Sequence, residues 1–213
     1  MVLRKSIIAF SIIFAALATS CKEVSKEMDA LTQPEVSNTV SGTTHYLNDD
    51  GIKIVLPETF VKYSAAEYEI VVKEMLPEKD QEAELDRLRN LRNMDGNFYL
   101  FYDKENASTY TANTIPYKPI TKKDATNLLA LIRSSLENSA KEKDLKVFKE
   151  TAKYNDNGLA QIFKAVFKID NIKTKREFYQ TAYFISSNDK TVLIQLSTPF
   201  LADFDSYLQK MVF

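Results

Sequence analysis

The 213-residue chain has one cysteine, one histidine, no tryptophan and four glycines, and its 28 Lys and Arg nearly balance 29 Asp and Glu. Each scarcity removes a class of chemistry. One Cys forbids an intrachain disulfide and any Cys-based zinc cluster. One His excludes histidine-rich metal sites and leaves a single candidate for imidazole acid–base work. Four glycines cannot supply a phosphate-cradling loop, and neither G-x-G-x-x-G nor G-x-x-x-x-G-K-[ST] occurs. A formal net charge of −1 lacks the basic footprint of a nucleic-acid binder. No cofactor and no metal site is implied. What is present is apolar material: 45% hydrophobic residues, with 11 Tyr and 13 Phe, are ample for a core. At roughly 150 residues per domain, the length fits one domain plus extensions.

The N-terminus reads differently from the rest. Arg4 and Lys5 precede an apolar stretch, Ile7 to Ala18, interrupted only by Ser11, and no acidic residue occurs before Glu23. The stretch has the length of a secretory h-region, whereas a spanning helix needs about 20 apolar residues. It ends in Leu17-Ala18-Thr19-Ser20 directly before Cys21. Small residues leading into a cysteine here resemble the lipobox of bacterial lipoproteins, although Ala18 stands where Leu is favoured. The resemblance implies that residues 1–20 are a signal peptide. It also implies that Cys21 becomes a diacylglycerol-bearing, acylated (palmitate-type) N-terminus, a lipid anchor in the membrane. Two or three acyl chains hold a protein stably where one does not. The alternative is an ordinary cleaved signal or membrane anchor in which Cys21 is merely small and apolar. Processing would take the formal charge from −1 to −3, because Arg4 and Lys5 are lost. Lys22-Glu23 partly resembles the export signal of Bacteroidetes surface lipoproteins, and Val24 breaks it. An outer-membrane lipoprotein facing the periplasm is expected, with the cell surface as the alternative.

Residues 21–44 are rich in Ser, Thr, Glu, Asn and Gln, with isolated apolar positions and no sustained period, as in a flexible tether. A single domain is expected over 45–213. Ile52–Leu56 reads as a strand closed by Pro57. Ser64 and Glu67 match a capping box before a helix carrying Tyr68, Val71, Val72 and Met75. Glu78–Met94 reads as a solvated helix with Leu85, Leu88 and Leu91 inward and i,i+3 pairs Glu84/Arg87 and Asp86/Arg89. Strands are expected at Phe98–Tyr102 and Ser108–Ile115. Thr121–Asp124 caps an amphipathic helix whose stripe is Ala125, Leu128, Leu129, Ile132, Leu136 and Ala140. Lys146–Tyr154 and Leu159–Ile169 flank Asn155-Asp156-Asn157-Gly158, a hairpin signal, and Glu177–Ser186 and Thr191–Thr198 form a second hairpin. Leu201, Phe204, Leu208 and Met211 predict a closing helix. Consecutive hairpins make the fold α+β: a mostly antiparallel sheet of about six to seven strands covered by amphipathic helices on both sides.

Leu56-Pro57-Glu58-Thr59-Phe60 resembles the strand-then-"LP..F/W" opening of PsbP-like proteins. The final block, Thr181–Ile185 through Val192–Ser197 to a short C-terminal helix, is similar as well. The resemblance covers about residues 45–213. It implies an α/β/α sandwich used mainly as a non-enzymatic binding or assembly scaffold, in a family that includes bacterial lipoproteins. No functional residue is carried over, because no site motif matches.

The candidate sites are few. Lys164, Lys168, Lys173, Lys175 and Arg176 form the densest basic patch, which could meet an anionic partner or simply protect a sheet edge. His45, at the tether–domain junction, reads as exposed and without a nameable nucleophile. Asn155–Gly158 superficially resembles a calcium loop, but Lys153 and Lys164 would occupy its first and twelfth positions. Glu78, Asp80, Glu82, Glu84 and Asp86 spread around a helix and read as solvated. Asn106-Ala107-Ser108 is a sequon that reads as a loop. Tyr99, Tyr102, Tyr110 and Tyr117 could rim a groove or pack in the core. The chain is therefore expected to be no enzyme. It would be a membrane-anchored binding or assembly module for a protein partner in the cell envelope, with no nucleic-acid partner. The alternative is a carrier or sensor of a small apolar ligand or lipid in a Tyr/Phe-lined pocket.

Overall fold

A computed structural model describes residues 40–141 and 144–213. Residues 1–20, Cys21 and all but the last residues of the expected tether lie outside the described residues. Those described form nine strands and four helices. The first strands, β1 (Thr43–Leu47) and β2 (Ile52–Leu56), pair through a single 3-10 turn closed by Gly51 at φ 62°. After a tight turn at Pro57 comes β3 (Phe60–Tyr63). Ser64 then starts α1 (Ala65–Met75) with both bonds of a capping box: the Glu67 N–H donates to Ser64 Oγ at 3.2 Å, and the Ser64 N–H donates to Glu67 Oε2 at 2.7 Å. Such a cap contributes about 1 kcal/mol. Pro77 separates α1 from α2 (Glu78–Arg92), where the expected pairs form at 2.7 Å (Glu84–Arg87) and 2.6 Å (Asp86–Arg89).

Gly96 turns the chain into β4 (Asn97–Asp103), which pairs with β5 (Ser108–Ile115). The second capping box, Thr121 with Asp124, starts α3 (Lys122–Lys141). Two hairpins follow, β6 (Leu145–Asp156) with β7 (Ala160–Asn171), and β8 (Glu177–Ser187) with β9 (Lys190–Thr198). In the second, Asn188 and Asp189 both take left-handed conformations, the pair that a primed two-residue turn requires. A single turn, α4 (Asp205–Leu208), closes the chain.

Seven strands form one antiparallel sheet in the order β3-β4-β5-β9-β8-β7-β6, and β1–β2 form a separate two-stranded sheet. The registers put Phe101, Tyr110, Leu196 and Thr181 in one row across β4, β5, β9 and β8. That face is covered by Leu47, Ile52, Ile54 and Leu56 of the hairpin and by Phe204 beside α4. The alternate residues face the three long helices. Leu100 and Tyr102 meet Tyr68, Val72 and Leu88 of α1 and α2, while Phe163, Phe167 and Phe184 meet the apolar stripe of α3. Helices thus flank both sides of the α+β sandwich, but unequally.

Three local differences from the sequence reading have physical causes. β1 begins at Thr43, two residues ahead of the expected domain start, because backbone pairing with β2 supplies what its Thr-rich sequence does not signal. β3 is four residues long, too short to show a period, and exists by pairing with β4. The closing helix shrinks to one turn: Leu201 is exposed, Phe204, Leu208 and Met211 pack inward, and Val212 instead pairs with Lys53 as a bridge onto β2.

Candidate functional site

The basic patch is brought together but largely paired. Lys164 on β7 reaches Asp203 at 3.1 Å and Asp205 at 2.7 Å, its ammonium 5.5 Å over the Tyr183 ring, and the Tyr183 hydroxyl donates to the same Asp205 at 2.9 Å. Burial and the adjacent Asp205 push the Tyr183 phenol far above its ordinary range. Lys168, four residues on and on the same face, pairs with Glu177 at 2.6 Å and Asp170 at 3.3 Å, and the bond to Glu177 raises its ammonium pKa further. Lys173 pairs with Asp144. Lys175 and Arg176, exposed in the β7–β8 turn, have no carboxylate at ion-pair distance among the described residues. The five cations therefore present much less free charge than their number implies.

The remaining candidates resolve into structure. His45 differs from expectation. It faces the sheet from β1, its ring 4.8 Å from that of Phe101, with Nε2 buried and unbonded. Desolvation, with Lys62 nearby, lowers its pKa below the ordinary 6.5. Sequence alone could not show this, since the packing comes from a partner 56 positions away. Tyr99, Tyr102 and Tyr110 are core residues, and Tyr117 is exposed. Asn155 and Asp156 end β6, and the β6–β7 turn runs through Asn157 and Gly158, where Asp156 accepts the Gly158 N–H at 3.0 Å and Asn157 accepts the Ala160 N–H at 2.8 Å. The acidic run is the solvated side of α2, except that Glu84 also accepts the Tyr68 hydroxyl at 3.3 Å. Asn106 turns β4 into β5 by donating twice to the buried Asp103, which also accepts from Thr59. Burial alone would raise the Asp103 pKa, but the bonds from Asn106 and Thr59 hold it below its ordinary value.

The opening that the sequence did not reveal lies at the other end of the sheet. A cleft of about 600 Å³ is lined by Lys62 and Tyr63 of β3, the N-terminus of α1, Arg92 ending α2, the first residues of β4, and Asp49. That size lies within the range of ligand sites, roughly 300–1,000 Å³. Its lining is mixed. The Lys62 ammonium sits 5.2 Å over the Tyr99 ring, whose hydroxyl donates to Asp50 at 2.6 Å; burial, then this carboxylate, raise the phenol's pKa. Asn97 Nδ2 donates to Asp50 at 3.1 Å. Glu67 is held by its bonds with Ser64, which keep its carboxyl below the usual range. The charges of this site are scattered over residues 49–92, so no local cluster in the sequence marks them. Among the described residues no group of three or more His, Cys, Asp or Glu is set to hold a metal, and no helix is long and apolar enough to cross a membrane.

A seven-stranded antiparallel sheet with its long helices on one face and a hairpin on the other is a PsbP-like architecture. The chain is similar to the solution structure of cyanobacterial PsbP (CyanoP) from Synechocystis sp. PCC 6803. The TM-score is 0.50 at 14% sequence identity, over 85% of this chain and 98% of that one. At this identity the likeness establishes the fold. No family model and no curated protein matches the sequence.

Proposed function

We propose that the chain is a lipid-anchored, non-enzymatic binding or assembly module that holds a protein partner in the cell envelope. The observation that carries this reading is the contrast between a closed core and an open polar cleft. Aromatic side chains fill both sheet faces, while the cleft at the sheet edge displays charged side chains and strand backbone. Such a site suits another chain better than a small apolar ligand, which would need an enclosed apolar lining. The chain's one histidine is engaged in packing against Phe101, which supports a role without acid–base chemistry. The PsbP-like fold supports the same reading, as a scaffold associated with binding and assembly.

Anchoring rests on the lipobox-like Leu17–Cys21 segment, with Cys21 acylated, the segment between it and β1 as the tether, and the outer membrane's periplasmic face as the location. Fractionation tests the anchor: Cys21→Ala should move the protein from the membrane to the soluble fraction, and continued tight membrane association would overturn the lipoprotein reading. Crosslinking and pull-down of the native protein tests the module. One stoichiometric envelope protein is expected, and a lipid or metabolite recovered in its place would favour the carrier.

A further inference from the structure

The chain enters the described fold at one end of the seven-stranded sheet. β1 begins in the pair Thr43↔Leu56, and the turn at Pro57 carries the chain from Leu56 to Phe60, which pairs with Asp103 where β4 ends. The entering backbone is pinned there. The Lys210 ammonium donates to the Val40 carbonyl, and the Tyr207 hydroxyl donates to that of Ser41 at 3.4 Å. A Cβ at Gly42 would lie 2.4 Å from the Leu56 carbonyl oxygen, so the strand is pressed against β2.

Three connections emerge side by side at this end. Thr109 pairs with Ser197 and Thr198 with Tyr179, which sets the β9–α4 loop between the β4–β5 turn and the β7–β8 turn. The middle loop is apolar at its tip. Exposed Pro199 is followed by Phe200, 46% exposed, and Leu201, 63% exposed. The loop is held in place: the Thr198 hydroxyl donates to the Phe200 carbonyl at 2.6 Å, and Ala202 and Phe204 pack inward just beyond. Adjacent large apolar side chains displayed on a pinned loop mark a surface for an apolar partner.

Charge does not select that partner. The five cations beside the loop, from Lys164 to Arg176, are matched by the five carboxylates that pair with three of them, and Lys104 in the neighbouring turn is followed by Glu105. An apolar tip in neutral surroundings fits a surface that is itself neutral and admits apolar side chains beneath a polar layer, as zwitterionic phospholipid does. The position of the tip points to a bilayer. On the lipoprotein reading, Cys21 is held in the membrane and residues 22–39 lead from it to Val40. A flexible chain of that length typically reaches about 25 Å, which keeps the entry end close to the lipid. Contact is then intramolecular, so two side chains suffice at the effective concentration that a short tether provides.

We propose that Phe200 and Leu201 form a membrane-docking tip. They insert among the headgroups of a zwitterionic bilayer and seat the entry end of the domain on it. The cleft, at the Asn97 end of β4, is thereby directed away from the lipid. The proposal rests on the lipoprotein reading and adds the orientation of the anchored domain.

The test uses the absence of tryptophan and the single cysteine. The purified full chain, with Leu201→Trp as its one tryptophan, is reconstituted into dioleoylphosphatidylcholine vesicles with or without bromine on the acyl chains. Mass spectrometry first reads the state of Cys21. A free thiol overturns the lipoprotein reading, and Cys21 is then coupled to a maleimide-bearing phospholipid so that the tip is tested all the same. Bromolipid should quench the Leu201→Trp emission by more than half, equally in low salt and in about 0.5 M sodium chloride. Leu159→Trp, 83% exposed at the opposite end of the sheet, should stay unquenched. Adding Phe200→Asp to the Leu201→Trp chain should remove most of the quenching, because the native ring and not the reporter seats the tip. No quenching at Leu201→Trp, equal quenching at Leu159→Trp, loss of quenching in salt, or full quenching despite Phe200→Asp would each overturn the proposal.

Discussion

The two edges of the seven-stranded sheet are built in opposite ways. At one edge, β6 runs for twelve residues, displays Lys146, Lys149 and Lys153, and carries a register shift between Lys149 and Thr151. Lysines and bulges on an edge discourage pairing with another chain. The neighbouring cations Lys164 and Lys168 are held by carboxylates. At the other edge, β3 runs for four residues and leaves the start of β4 uncovered, with Lys62 and Arg92 nearby and unpaired among the described residues. The lesson concerns charge. The cation patch that stands out in the sequence is largely neutralised at Lys164, Lys168 and Lys173, while two isolated cations, thirty positions apart, flank the uncovered start of β4.

The largest effect should come from Gly96, the residue that sets β4 in place beside the cleft. Its φ is +94°, and a Cβ built there would lie 1.6 Å from the Thr114 carbonyl oxygen. Gly96→Ala should therefore cost on the order of 3 kcal/mol or more in urea denaturation, and a loss under about 1 kcal/mol would mean that this end of the sheet is less constrained than drawn. The next experiment compares the edges directly. Lys164→Met should cost about 1–2 kcal/mol, since the Lys164 side chain is only 13% exposed and leaves Asp203 and Asp205 without their cation. Lys62→Met should change stability by less than about 0.5 kcal/mol. Equal losses would erase the distinction between paired and free cations.

The smallest effect is a pH dependence. His45 has a folded pKa lowered first by desolvation and then by Lys62, the charged group facing it from β3. A histidine held neutral in the folded state binds fewer protons than it does unfolded, so its contribution is present above pH 6.5 and is lost as the pH falls below that value toward the folded pKa. Unfolding midpoints of wild type and His45→Gln should converge as the pH drops from 7.5 to 5.0, and parallel curves would show that His45 does not titrate against the fold.

Most of the fold was legible because its elements carry their own local instructions. Ser64–Glu67 and Thr121–Asp124 cap their helices as the spacing predicts, and Asn157-Gly158 and Asn188-Asp189 turn the two long hairpins. β1 and β3 were not legible, because each exists through pairing with a strand elsewhere in the chain. The site was less legible still. Lys164, Lys168 and Lys173 stand out in the sequence as a patch, but Asp203 and Asp205, which neutralise the first, arrive from 39 and 41 residues away. Nothing local to Lys62, Arg92 or Phe98 marks the cleft that they share.

By itself the sequence determined the α+β class, the capping-box starts of α1 and α3 and the long hairpins, all of which depend on residues close together along the chain. Only the tertiary structure decided which charges are paired, where the one histidine packs and which strand edge stays open. Those outcomes depend on distances between residues far apart in sequence, set when two faces of one sheet bury their aromatic side chains.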